Sequence, residues 1–147
     1  MSTTTTASSY ASAAPANAAQ DTLALVGRIL VALLFVPAGF GKITAFSGTV
    51  GYIASAGLPL PSVAAVIAIV AELGFGLMLL FGFKTRIAAI VLAVFTAVAA
   101  ISFHNYWAMP ADQAYVNQLM FFKNLAITGG LLTIAAFGAG RFSIDRR

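Results

Sequence analysis

From Ser62 to Phe83 the chain is apolar without a break except for one carboxylate, Glu72, and the next charge is Lys84. Crossing the hydrocarbon of a bilayer takes about 20 helical residues at ~1.5 Å each, so this run predicts a membrane-spanning helix. Three further runs have the same character: Thr22 to Gly41, Ile87 to Phe103, and Val116 to Gly138. A soluble domain carries roughly a quarter charged residues. This chain has 8% charged and 61% hydrophobic residues in 147, too few polar groups to cover a surface in water. The reading is an all-α membrane protein, an antiparallel four-helix transmembrane bundle joined by tight turns.

The segments between the spans set the outline. Residues 1–21 are rich in Ser, Thr and Ala and hold no Lys or Arg. Such a composition cannot offset the entropy of ordering, which predicts a disordered tail ahead of a domain covering 22–147. The tail also lacks the basic n-region of a signal peptide. Ile43 to Pro61, broken by Gly48, Gly51, Gly57, Pro59 and Pro61, is too short to span. It predicts an interfacial helix near Ser47–Ala56. Lys84, Arg86, Arg141, Arg146 and Arg147 all fall on one side of the four spans. By the positive-inside rule that side, with both termini, is cytoplasmic.

A carboxylate in hydrocarbon costs several kcal/mol and has to find a partner. Helical spacing shows which faces offer one. Ala24, Arg28, Ala32, Phe35, Gly39 and Lys42 form one stripe; Ala68, Glu72 and Gly76 a second; Ala89, Ala93, Ala97, Ala100 and His104 a third; Lys123, Ala126 and Gly130 a fourth. Small residues mark close approach between membrane helices, so the four stripes are expected to converge in the interior. At ~1.5 Å per residue Glu72 lies near mid-membrane, with Arg28 and Lys123 each within side-chain reach as candidate partners. Lys42 and His104 sit nearer the outer ends. The pattern predicts an outward-facing polar cleft floored by Glu72.

The absence of cysteine excludes disulfides and Cys-ligated metal or iron–sulfur centres. A single histidine excludes bis-His haem within one chain, and no metal site is expected. Scattered basic residues do not make a nucleic-acid surface.

The ordered motifs Gly27-Arg28, Ala38-Gly39-Phe40-Gly41-Lys42, Ala71-Glu72-Leu73-Gly74, Leu80-Phe81-Gly82-Phe83-Lys84-Thr85-Arg86, Lys123-Asn124 and Gly138-Ala139-Gly140-Arg141-Phe142-Ser143-Ile144-Asp145 resemble the DoxX family of small four-span bacterial membrane proteins. The resemblance covers nearly all of Thr22 to Arg147, with Gly138-Ala139-Gly140 where the family often has Gly-Pro-Gly. It implies a quinone-interacting or accessory membrane subunit of a redox or oxidative-stress oxidoreductase system, with a partner subunit and quinone as the cofactor. On that reading Glu72, Lys123 and His104 are the candidate proton-handling residues. Arg28, Lys42, Asn124 and Trp107 are the candidate contacts to the bound group. The alternative is a non-catalytic membrane anchor or small-solute carrier, functioning as a homo-oligomer, in which Glu72 belongs to a structural ion pair.

Overall fold

The computed structural model describes residues 18–146. The expected tail therefore lies outside the described residues as far as residue 17. Residues 18–21 belong to the first turn of a helix, α1, spanning Ala18–Thr44. Then come α2, Phe46–Ser55; α3, Pro61–Phe81; α4, Thr85–Phe103; and α5, Ala111–Phe137. A 3-10 turn, Tyr106–Ala108, links the last two. Four of these helices are long and apolar enough to span a bilayer, and no strand occurs among the described residues. The protein is an all-helical, four-span membrane protein.

Local chemistry sets the helix ends. Pro61 opens α3, where its missing N–H costs nothing and its fixed φ suits the first turn. Gly82 closes it at φ +69, with Gly82 N–H donating to Leu79 O and Phe83 N–H to Met78 O. This paired pattern satisfies helix carbonyls that would otherwise be orphaned. Between these ends the helix widens into a π-helical turn at Val70–Phe75. Glu72 is in that turn. Such insertions occur mostly as single turns within α-helices and concentrate at functional sites.

α1, α3 and α4 form the interior. Arg28, Ala32, Phe35 and Gly39 of α1 are buried, as are Ala65, Ala68, Glu72 and Gly76 of α3 and Ala89, Ala93 and Ala100 of α4. Three of the predicted stripes therefore face inward as expected. The fourth does not. α5 packs chiefly on α4, and its only fully buried residue is Leu131. Lys123, Ala126 and Gly130 are on its exposed face. The helix turns Asn117, Asn124 and Leu131, spaced seven residues apart, inward instead.

At the end of the bundle that carries both termini, the last residues fold back as a strap. Asp145 accepts Lys84 N–H through Oδ1 (2.9 Å), and Thr85 N–H (2.8 Å) and the Thr85 hydroxyl (2.9 Å) through Oδ2. It therefore caps α4 from a distant segment. Ile144 and Asp145 N–H donate to Phe81 O and Gly82 O, and Arg141 N–H donates to Asp21 Oδ1. Arg28, 1% exposed, donates to Leu79 O, Leu80 O and Phe142 O. A cation here also meets the negative end of the α3 dipole. Gly82 leaves room for the guanidinium, since a Cβ there would stand 2.5 Å from Arg28 Nη1.

Asp145→Ala removes three donors' acceptor at once. It is expected to lower stability by about 1–2 kcal/mol, the range for lost helix caps, read as a lower unfolding temperature in detergent. Asp145→Asn, which keeps one acceptor oxygen, should fall between the two.

Candidate functional site

The π-helical turn puts Glu72 where α1 can meet it. Gly39 allows the approach: a Cβ at that position would lie 2.7 Å from Leu73 N and 3.1 Å from Glu72 Cβ. One turn further along α1, Lys42 Nζ reaches Glu72 Oε2 at 2.7 Å. Lys42 is thus the partner of the carboxylate, in place of Arg28 or Lys123. Arg28 is committed to the strap at the opposite end. Lys123 lies on the exposed face of α5 with its Nζ 3.1 Å from Met120 Sδ. The Glu72 side chain is 10% exposed and that of Lys42 29%, so the pair is set deep on the acid side and opens toward the loop end on the base side.

Above the pair is a cavity of about 340 Å³ whose walls include Lys42, Ala68, Glu72, Phe95, Ser102 and His104. α2, expected only as an interfacial helix, covers it through Thr49, Tyr52 and Ile53. The Tyr52 ring stacks on Phe103 at 5.2 Å and 14°, which joins α2 to α4 at the cavity wall. The lining is mostly apolar with a few converging polar groups, the usual composition of a small-molecule site.

His104 has a defined orientation. Its Nδ1 is 3.1 Å from Asn117 Oδ1, and Asn117 Nδ2 donates to Gln113 O. The second bond fixes the amide, so the Asn117 oxygen faces the ring and Nδ1 carries the proton. Nε2 is then the acceptor nitrogen. The bond ties the outer end of α4 to α5.

The candidate residues therefore divide. Glu72, Lys42 and His104 line one cavity, and Asn124 lines an adjoining one that shares Glu72. Trp107 stands apart in an aromatic cluster, its ring 5.2 Å from Tyr106 and 5.5 Å from Phe121, where it ties the α4–α5 connection to α5. Arg28 and Lys123 are not at the cavity. Tyr52, Phe103 and Ser102 line it without having been singled out. Their only prior signal was an aromatic or hydroxyl side chain in the interfacial helix (Tyr52) or at the outer end of a span (Ser102, Phe103). No cluster of metal-ligating side chains occurs among the described residues.

This arrangement defines a class: a four-span helical membrane protein with an ion pair flooring a cavity that opens at the loop end. The DoxX family model matches residues 23–105, more than half of the chain, and the chain belongs to the DoxX family. It is 42% identical to the Escherichia coli inner membrane protein YphA over 130 residues, covering 88% of this chain and 93% of that one. It is 46% identical to the E. coli inner membrane protein YqjF over 130 residues, covering 86% and 92%. The yeast ER-derived vesicles protein ERV29 aligns at 29% identity over 88% of this chain but 34% of its own length. No solved structure matches.

Two outcomes follow from the geometry. In a double-mutant cycle on unfolding, Lys42→Met and Glu72→Gln should couple by about 1–3 kcal/mol, while Lys123→Met and Glu72→Gln should add within about 0.5 kcal/mol. Gly39→Ala should separate α1 from the π-helical turn and lower the unfolding temperature, whereas Gly41→Ala, with open space at its Cβ position, should not.

Proposed function

We propose that the loop-end cavity binds the headgroup of a quinone and that the chain acts as a quinone-interacting accessory subunit of a membrane oxidoreductase system. The observation that carries this reading is the meeting of Lys42, Glu72 and the His104 ring in one mostly apolar chamber. These groups suit a flat ring with carbonyl oxygens. Lys42 Nζ donates to a carbonyl, His104 Nε2 accepts from a hydroxyl, and the apolar walls take the ring. A bound quinone would supply the redox chemistry, the two-electron, two-proton interconversion with its quinol. As bases, Glu72 and His104 Nε2 would relay protons between the ligand and the water at the loop end, and Lys42 keeps the carboxylate oriented. Electrons come from a partner subunit, since this chain's own residues offer no thiolate or cluster ligand. The basic residues at the termini end support a cytoplasmic location for both termini, which opens the cavity to the other side of the membrane.

A second reading takes the chain as a non-catalytic anchor or carrier. The 2.7 Å approach of Lys42 Nζ to Glu72 Oε2 favours it, because a paired carboxylate is also what a purely structural role requires.

Thermal unfolding separates the two. A short-tailed ubiquinone analogue at about 100 times its dissociation constant should stabilise the purified protein by about 2.7 kcal/mol, seen as a rise of several degrees. Glu72→Gln and Lys42→Met should each abolish the rise while retaining a cooperative transition. No rise in the wild type would favour the anchor.

A further inference from the structure

Glu72 borders a second cavity of about 160 Å³, shared with Leu34, Phe35 and Ala38 of α1, Thr96 of α4 and Asn124 of α5. Phe95 and Ala99 wall both cavities, so the carboxylate stands at the junction of the two spaces. The second one lies in the seam between α1 and α5. These helices barely touch, because α5 spends its packing on α4. The rim of the seam faces the surroundings of the bundle: Leu34 is 44% exposed, at a depth where the surroundings are acyl chains.

Asn124 is the unusual member. It lies near the middle of α5, about 20 Å along the helix from Ala111. Its backbone carbonyl accepts the Thr128 hydroxyl, yet among the described residues its carboxamide has no hydrogen-bond partner. Thr96, its neighbour across the space, has its hydroxyl committed to Leu92 O. A polar group at this depth is costly unless something bonds it, and the half-buried Asn124 amide borders the space between the helices. Packing would be served as well by leucine. The amide is explained if a ligand's polar head supplies the missing bond.

We propose that the seam between α1 and α5 is a lateral portal through which a bilayer-dissolved ligand reaches Glu72, with Asn124 as the positioning residue that hydrogen-bonds its head. The ligand class is an amphiphile with a carbonyl- or hydroxyl-bearing head and a long apolar tail. The head passes into the space at Glu72, and the tail stays in the seam beside Leu34. This deepens the quinone reading and rests on it: the site takes its ligand sideways from the membrane, in place of an entry from the loop end under α2.

The test measures binding of two probes to the full chain in lipid nanodiscs: a decyl-tailed ubiquinone analogue and the same headgroup with a methyl in place of the tail. Leu34→Trp fills the rim of the seam from an exposed position, and Asn124→Leu removes the amide; thermal unfolding confirms that each variant is folded. In Leu34→Trp the association rate of the tailed analogue should fall at least about tenfold while that of the tail-less headgroup stays unchanged. In Asn124→Leu the affinity for both should fall about tenfold, the worth of one hydrogen bond of about 1.4 kcal/mol. Unchanged association of the tailed analogue in Leu34→Trp would overturn the portal and leave the cavity reading standing. Unchanged affinity in Asn124→Leu would overturn the role of the amide. If neither probe binds the wild type, the quinone reading falls and the portal with it.

Discussion

A carboxylate in hydrocarbon has to be answered by something inside the protein, and Glu72 sets that condition for the whole bundle. Lys42 answers it at 2.7 Å, but only because two other features bring the helices together. The π-helical turn Val70–Phe75 widens α3 around the carboxylate. Gly39 lets the α1 backbone lie against that turn with no side chain between them. The ion pair also settles the level at which α1 and α3 cross, and so where the cavity floor lies. A buried pair is weak evidence of net stabilisation, since removing two charges from water offsets much of their attraction. Its value here is in register and in chemistry.

The opposite end is held by different means. Arg28 is almost fully buried, and its bonds go to backbone carbonyls of α3 and the strap. Asp21 and Asp145 are likewise spent on backbone N–H groups. The terminal motif from Gly140 to Asp145 is thus a structural closure for α1, α3 and α4. The bonds of Arg28, Asp21 and Asp145 serve architecture, while Lys42, Glu72, His104 and Asn124 line the two adjoining cavities that share Glu72.

Much of this was legible in the sequence. Hydropathy located four spans, and the stripes of α1, α3 and α4, small residues with one or two polar groups each, pointed to the interior. The stripe on α5, no shorter than that of α3, misled: Lys123 looks outward while Asn124, its neighbour, looks in. Pairing Glu72 by depth alone favoured long cations some distance away. It passed over Lys42, because spacing along a uniform α-helix cannot reveal a π-helical turn or the close approach that Gly39 permits. The role of Asp145 was hidden for a similar reason, since its bonds span some sixty positions of sequence. α2 was legible as a helix but not as the cover of a cavity, which depends on its tertiary placement against α3.

The central claim is that a cavity descends from the loop end to the Lys42–Glu72 pair and receives a ligand there. Because the chain has no cysteine, one introduced thiol reports on it without background. Ala68 lines the cavity about one turn above Glu72, and Ala93 is buried in the apolar core. The account predicts that Ala68→Cys reacts readily with a small water-soluble thiol reagent, that a short-tailed ubiquinone analogue slows that reaction, and that Ala93→Cys stays inert. Equal inertness of Ala68→Cys and Ala93→Cys in the folded protein would contradict it.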